Sequence, residues 1–316
     1  MKLIIQIPCY NEEDTLSVTY RDLPKVIDNV DEIETLIIND GSTDNTVQVA
    51  RQIGIDHIVS FNRNKGLARV FNAGIDRCLE LGADIIVNTD ADNQYCGQDI
   101  TKLVKPIVEG TADVVVGDRQ TDTISHFSWT KKKLQKTGSF VIRRLSNTEV
   151  TDTVSGFRAF SRDAAARVNT LTEFSYTVES LIQLGNEKLK VIAVPVRTNG
   201  ELRKSRLFKS IPSFVSHQLA TILRVYATYR ALKVFTIIGL IVILPGLFGF
   251  GRFLYFYFTV GGEGHIQSLI FSTVLINVGF LVFMFGIIAD LISSNRKLIE
   301  RTLYKIKKME AEAHDN

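Results

Sequence analysis

Cysteine is scarce: Cys9, Cys78 and Cys96 are the only three in 316 residues. They are too few and too scattered for a disulfide framework or a structural zinc site, and they read as reduced, cytosol-facing thiols. Net charge is equally slight, +3, which excludes whole-protein attraction to nucleic acid as a basis for function. A cleavable signal peptide is not expected, because Met1 to Pro8 is too short for an apolar h-region and Asn11 to Asp14 is polar; the N-terminus is therefore expected in the cytosol. Internal repeats and low-complexity tracts are missing. Long apolar runs are also missing before Lys233, but not after it.

What is present before Lys233 is an alternation of short β-branched runs and helical patterns. Lys2 to Ile7, Ile33 to Ile38, Ile58 to Phe61, Ile85 to Thr89 and Asp113 to Gly117 read as strands, with helices between them, including Gln98 to Glu109. A helix from about Thr177 to Leu184 and a strand from Val191 to Val196 follow. This alternation predicts an α/β fold with a parallel, doubly wound sheet. Each polar cluster falls at a strand's carboxyl end, where open α/β sheets bind ligands. Asp40 lies there in Asn39-Asp40-Gly41-Ser42-Thr43-Asp44, although a turn acid with no role beyond capping fits the same residues.

The stretch Asn88-Thr89-Asp90-Ala91-Asp92-Asn93-Gln94 ends the fourth run. It delivers two carboxylates and an amide, each two residues from the next, to the end of a strand, and at that spacing Asp90, Asp92 and Gln94 are expected to face one side and to hold a divalent cation with the diphosphate it neutralises. A polar turn after a strand is the plainer reading.

After Arg197 the character changes. Arg203, Lys204, Arg206 and Lys209 make a basic loop, and Ile211 to Leu232 has the spacing of an interfacial amphipathic helix. Val234 to Phe250, continuing through Arg252 into the aromatic run Phe253 to Tyr257, and Ile266 to Ala289 are each apolar enough to span a bilayer. Asn277 in the second span would bond to, or face, a partner helix. Basic residues flank both outer ends, Arg230 and Lys233 before and Arg296, Lys297, Arg301, Lys305, Lys307 and Lys308 after. The positive-inside rule then places both termini in the cytoplasm. The expected organisation is a catalytic domain over 1–208, an interfacial region over 209–232, two membrane helices over 233–292 and a basic tail over 293–316. Glycine-rich spans permit helix packing and leave homo-oligomerisation open.

Together Pro8-Cys9-Tyr10-Asn11-Glu12, Asn39-Asp40-Gly41-Ser42-Thr43-Asp44, Asn64-Lys65-Gly66, Asp90-Ala91-Asp92-Asn93-Gln94 and Ser155-Gly156-Phe157-Arg158 resemble the family 2 glycosyltransferases, in particular their polyprenyl-phosphate group. The resemblance runs by motif from Met1 to about Phe208. It implies a GT-A fold, Rossmann-like with a mostly parallel sheet. It further implies a nucleotide-sugar donor and a polyprenyl phosphate acceptor, undecaprenyl or dolichyl, at the membrane bilayer. By that resemblance Pro8, Tyr10, Glu12 and Asp40 line the nucleoside pocket, with Asp90 and Asp92 also on the donor. Asp90, Asp92 and Gln94 hold Mg²⁺ or Mn²⁺. Asp152 is the required acid, as a base or as the holder of a cationic side chain or the acceptor, while Arg119, Arg203 and Arg206 meet the acceptor phosphate. The run Lys131 to Lys133 matches more loosely, and a solvated helix face explains it as well. Asn39 departs from the commoner Asp at its position.

The acceptor needs little base catalysis, because a phosphate monoester with a second pKa of about 6 is largely dianionic at neutral pH. The expected step is an inverting displacement at the anomeric carbon. A processive polysaccharide synthase or other surface-polysaccharide transferase is the first alternative. It is disfavoured by the lack of a Gln-x-x-Arg-Trp signature, the sole tryptophan being Trp129 in Phe127-Ser128-Trp129-Thr130. A catalytically silent membrane scaffold of the same fold is the second.

Overall fold

A computed structural model describes residues 1–120, 138–140, 142–144, 146–170, 176–200, 231–261 and 266–314. The β-branched runs form strands where expected: β1 Lys2–Cys9, β2 Glu32–Asn39, β3 His57–Ser60, β4 Ile85–Asn88 and β5 Val114–Asp118. Helices α1 Leu16–Asp22, α2 Thr46–Gln52, α3 Leu67–Glu80 and α4 Ile100–Val108 connect them, the last preceded by a 3-10 turn at Gly97–Asp99. Then come β6 Arg158–Ser161, α5 Arg162–Arg167, α6 Tyr176–Asn186 and β7 Val191–Pro195.

The seven strands form one sheet in the order β3-β2-β1-β4-β6-β5-β7. All neighbours pair in parallel except β6, which runs antiparallel between β4 and β5. The sheet is thus mostly parallel and wound outward from β1. Registers such as Cys9 opposite Asn39, Asn39 opposite Ser60 and Gln6 opposite Asn88 bring the carboxyl ends of β1 to β4 to one edge. Leu3, Ile5, Ile7, Ile37, Ile85 and Val87 are fully buried in a core with Leu103, Val104 and Val115 from α4 and β5. Fully burying each aliphatic side chain contributes about 1.5–3 kcal/mol, so these runs dominate the stability of the sheet.

By internal contacts the chain forms two compact units, Met1–Phe214 with Arg301–Asn316, and Val215–Glu300. Within the first, Tyr304 donates to Asp163 (2.5 Å), Arg167 stacks over the Tyr304 ring and Lys307 pairs with Asp76 (2.7 Å).

The second unit contains most of two long helices, α7 Ala231–Val260 and α8 Ile266–His314. Both are long and apolar enough to cross a membrane. They approach closely where side chains are missing: a Cβ at Gly239 would lie 3.0 Å from the Gly279 carbonyl oxygen, the close approach that small residues allow between membrane helices. Asn277 does otherwise than expected. It is exposed and donates to the Thr273 carbonyl of its own helix (2.9 Å), so the i−4 backbone satisfies it rather than the facing helix. The 49 residues of α8 extend about 74 Å at 1.5 Å per residue, well beyond the thickness of a bilayer.

Several expectations lie outside the described residues: Lys131 to Lys133, Trp129, the basic loop with Arg203 and Arg206, and the amphipathic helix as far as residue 230.

Candidate active site

Two loops interlock at the carboxyl ends of β1 and β2. Asn11 adopts φ 55°, its N–H donates to Ser42 Oγ (2.9 Å), and its Oδ1 accepts the Thr43 N–H (2.8 Å). The Glu12 N–H donates to Thr46 Oγ1, while the Glu12 carboxylate accepts from Thr15 Oγ1 (2.7 Å). Pro8 is buried inside β1, and Tyr10 just beyond it is 41% exposed.

Asp40 is buried, and its two oxygens accept the main-chain N–H groups of Lys65 (2.7 Å) and Gly66 (3.0 Å). It therefore fastens the loop that opens α3. Gly41 makes this possible: at φ 68° a Cβ there would meet the Arg63 backbone at 2.5–2.6 Å. Beside this junction Ser60, Phe61, Asn62, Arg63 and Lys65 line a cavity of about 290 Å³, with Lys65 Nζ 4.1 Å from the Phe61 ring centre. The sequence motif Asn64-Lys65-Gly66 marked this loop, but gave Phe61 and Arg63 no role.

β4 stops at Asn88, so the alternation expected to align Asp90, Asp92 and Gln94 does not extend to them. They sit instead in a turn in which Asn93 takes φ 54° and Asp92 Oδ1 accepts the Gln94 N–H (3.2 Å). The turn is held from two sides. Thr19 Oγ1 donates to the Ala91 carbonyl (2.9 Å). From beyond β7, Asn199 donates its main-chain N–H to Gln94 O and its amide to Asn93 O and Tyr95 O. Arg197 grips the buried Asp99 as well, its Nη2 and Nε donating to Oδ1 (2.7 and 3.1 Å) and its main-chain N–H to Oδ2 (2.7 Å). Burial works against the Asp99 charge, yet its bonds from Arg197 and Lys102 hold it below the usual carboxylate range.

Among the described residues no group of three His, Cys, Asp or Glu could hold a metal alone. Two half-buried carboxylates in one turn nevertheless suit Mg²⁺ or Mn²⁺. Such hard ions take one or two carboxylates and complete their shell with phosphate oxygens and water. Gly156 lies against this position: a Cβ there would be 3.4 Å from both Asp90 oxygens and 2.8 Å from Tyr176 Oη.

The most specific geometry joins β5 to the turn before β6. Arg119 Nε and Nη2 donate to Asp152 Oδ2 (2.7 Å) and Oδ1 (2.9 Å). Asp152 is 2% exposed and Arg119 is 16%. Next to them Thr151 donates to Asp118. Burial opposes the Arg119 charge, but Tyr95 and Asp152 raise its pKa above the ordinary range. Burial also pushes the Tyr95 phenol up, so it is neutral at pH 7 and Asp152 is the effective counter-charge there. Nothing in the sequence links positions 33 residues apart, so the pairing of two separately expected residues emerges only here. Arg203 and Arg206 lie outside the described residues, and the structure does not place them.

Residues 4–168 match the family described as glycosyl transferase family 2. Among similar proteins is the UDP-N-acetylglucosamine–dolichyl-phosphate N-acetylglucosaminyltransferase of Methanococcus voltae, 31% identical over 61% of this chain and 83% of that protein. Another is the polyprenol monophosphomannose synthase of Mycolicibacterium smegmatis, 24% identical over 65% of this chain and 81% of its own. Glycosyltransferase AglJ of Haloferax volcanii is similar over nearly the whole length, 27% identical across 92% of this chain and 93% of that one. Among solved structures, glucosyl-3-phosphoglycerate synthase from Mycobacterium tuberculosis, in complex with Mn²⁺, UDP and phosphoglyceric acid, superposes with a TM-score of 0.55 at 18% identity, covering 71% of this chain and 78% of that one. At that identity the likeness establishes the fold alone.

Proposed function

Because this chain belongs to glycosyl transferase family 2, we propose that it transfers a sugar from a nucleotide-sugar donor to the phosphate of a polyprenyl phosphate at a membrane. The observation that carries this reading is the Arg119–Asp152 fork, formed by the loops beside β5 and β6 of the same sheet whose β4 leads into the acidic turn. An acid and a cation are locked together, so the acid cannot act freely as a base and the cation is presented for an anion. The relatives named for dolichyl-phosphate and polyprenol transfer support a lipid phosphate as that anion, and the apolar α7 and α8 support delivery from a bilayer.

In this reading Tyr10, Glu12 and Asp40, with Pro8 beneath, shape the nucleoside side, and Asp90, Asp92 and Gln94 would hold Mg²⁺ or Mn²⁺ on the donor diphosphate. A divalent cation there neutralises charge developing on the leaving diphosphate, so no proton donor is needed. The Arg119 guanidinium orients the acceptor phosphate and offsets its repulsion from the donor, assisted by Arg203 and Arg206 of the basic loop. Asp152 fixes Arg119 in place. An oxygen of the dianionic phosphate attacks the anomeric carbon, a new C–O bond forms, and the bond to the nucleoside diphosphate breaks with inversion. No proton has to be removed from the acceptor. The basic residues in the distal part of α8, Arg296 to Lys308, with Arg230 and Lys233 beside the first span, support a topology in which both termini and the catalytic unit face the cytoplasm.

The test is to incubate membranes containing the protein with a polyprenyl phosphate and a panel of labelled UDP- and GDP-sugars. Label should enter a chloroform-soluble product only with divalent metal present. If no donor labels the lipid, the reading fails.

A further inference from the structure

Arg158 has no part in the chemistry above, yet it is among the largest fully buried side chains, 1% exposed. It sits on β6 opposite Asn88 and Val116, in the middle of the sheet where apolar residues are the rule. Its guanidinium spends four hydrogen bonds on two places. Nε donates to Ser155 O (2.8 Å) and Nη2 to Thr153 O (3.0 Å), both in the turn that follows Asp152. Nη1 donates to Thr177 O (2.7 Å) and Ser180 Oγ (3.0 Å) on α6. Ser180 Oγ in turn donates to Tyr176 O (2.6 Å).

A buried cation is costly unless its bonds are well made, and here they go to carbonyls and a hydroxyl rather than to a carboxylate. Burial accordingly lowers its pKa to about 10, still charged at neutral pH. A lysine could not reproduce the arrangement, because its donors radiate from one atom while these four acceptors are met by a planar fork.

We propose that Arg158 is a positioning residue for the acceptor half of the site: it clamps the Thr153–Ser155 turn to α6, which sets Asp152 and, through Asp152, Arg119. The inference rests on the transfer reading for its kinetic consequence but not for its structural one. Two further contacts fit it. The Gly156 N–H donates to Tyr95 Oη (3.2 Å), and Asn88 Nδ2 donates to Gly156 O (2.9 Å), so the far end of the same turn is pinned to β4 and the acidic loop. Arg158 supplies the pin on the Asp152 side.

The experiment uses the full chain in detergent and compares wild type with Arg158→Lys and the gentler Ser180→Ala. Amide hydrogen exchange is read over residues 152–157. At least a tenfold faster exchange is expected there in Arg158→Lys, with a smaller increase in Ser180→Ala and none in β1 or β2. Nucleotide affinity should stay within twofold of wild type. Where wild type transfers sugar, Arg158→Lys should raise the acceptor KM and lower kcat together by about tenfold or more with the donor KM unchanged. The same substitution added to Asp152→Asn should cost no more than twofold further. Unchanged exchange over 152–157 in Arg158→Lys overturns the proposal whether or not any donor is found. So does a loss additive with Asp152→Asn. If Arg158→Lys fails to fold, Ser180→Ala decides: no change in exchange at 152–157 overturns it, and a local increase supports it. Failure of wild type to label any lipid refutes the transfer reading separately and leaves the exchange result standing.

Discussion

Replacing Asp152 by asparagine separates an anchor from a base. The carboxylate makes two charge-assisted bonds to Arg119 at 2.7 and 2.9 Å from a position 2% exposed. Asparagine keeps one acceptor oxygen and turns an amide donor toward the other guanidinium N–H. One charge-assisted bond, about 1.5–3 kcal/mol, is lost, and the other is weakened because its acceptor is no longer charged. The net loss is about 3 kcal/mol, roughly a hundredfold in acceptor kcat/KM. Arg119→Lys, which also breaks the bidentate geometry, should cause a loss of similar size, and the double variant should be little worse than either, since both disable one unit. The assay is acceptor-dependent formation of chloroform-soluble label, with nucleotide affinity as the control for folding. If Asp152 were a base, Arg119→Lys would retain most activity while Asp152→Asn alone removed the acidic limb of the pH profile. That pattern, or additive losses, would refute the anchor.

Asp92→Ala should weaken nucleotide binding at least tenfold in the presence of Mn²⁺ and leave it unchanged in chelator, measured by titration; equal affinity in both would remove the metal from this turn. Asp40→Asn puts an amide donor against the Lys65 or Gly66 N–H. The unsatisfied pair costs about 1–3 kcal/mol, lowering Tm by about 2–12 °C for a domain of this size, as read by thermal unfolding. Asp99 has a folded pKa depressed by Arg197 and Lys102 against the cost of its burial. Its contribution is therefore fully present above its unfolded value of about 3.9 and is lost as pH falls through the lower folded value. The Tm gap between wild type and Asp99→Asn should be constant above about pH 5 and close below about pH 4. Gly156→Ala should impair metal-dependent transfer, because its Cβ enters the space beside the Asp90 oxygens and Tyr176 Oη; full activity would show that this space is spare.

Strands β1, β2 and β4 were legible because each holds an unbroken Ile, Leu and Val run, Leu3 to Ile5, Leu36 to Ile38 and Ile85 to Val87, a signal that survives without any partner in view. β6 was not. Its four residues, Arg-Ala-Phe-Ser, put a charged side chain at the centre of a sheet, and only four buried acceptors make that tolerable. The aspartates after β4 were found for a reason that proved wrong in detail: alternation lapses at Asn88, and a left-handed Asn93 shapes the turn instead. Asp152 and Arg119 were each singled out, but their union was beyond reach, since it depends on β6 returning between β4 and β5. The clamp by Asn199 carries no local signature either, because it acts through main-chain carbonyls.

That returning strand also bears on how the chain is made. β3, β2, β1 and β4 are contiguous in space and complete by residue 88, so this half of the sheet can assemble while the remainder is still on the ribosome. β5 cannot join it then, because the slot beside β4 belongs to a strand seventy residues further along. Until residue 161 emerges, the edge of β4 stays open to wrong pairing. Synthesis thus leaves four strands waiting for the last three, with an unpaired strand edge presented to any chaperone or neighbouring chain until β6 arrives.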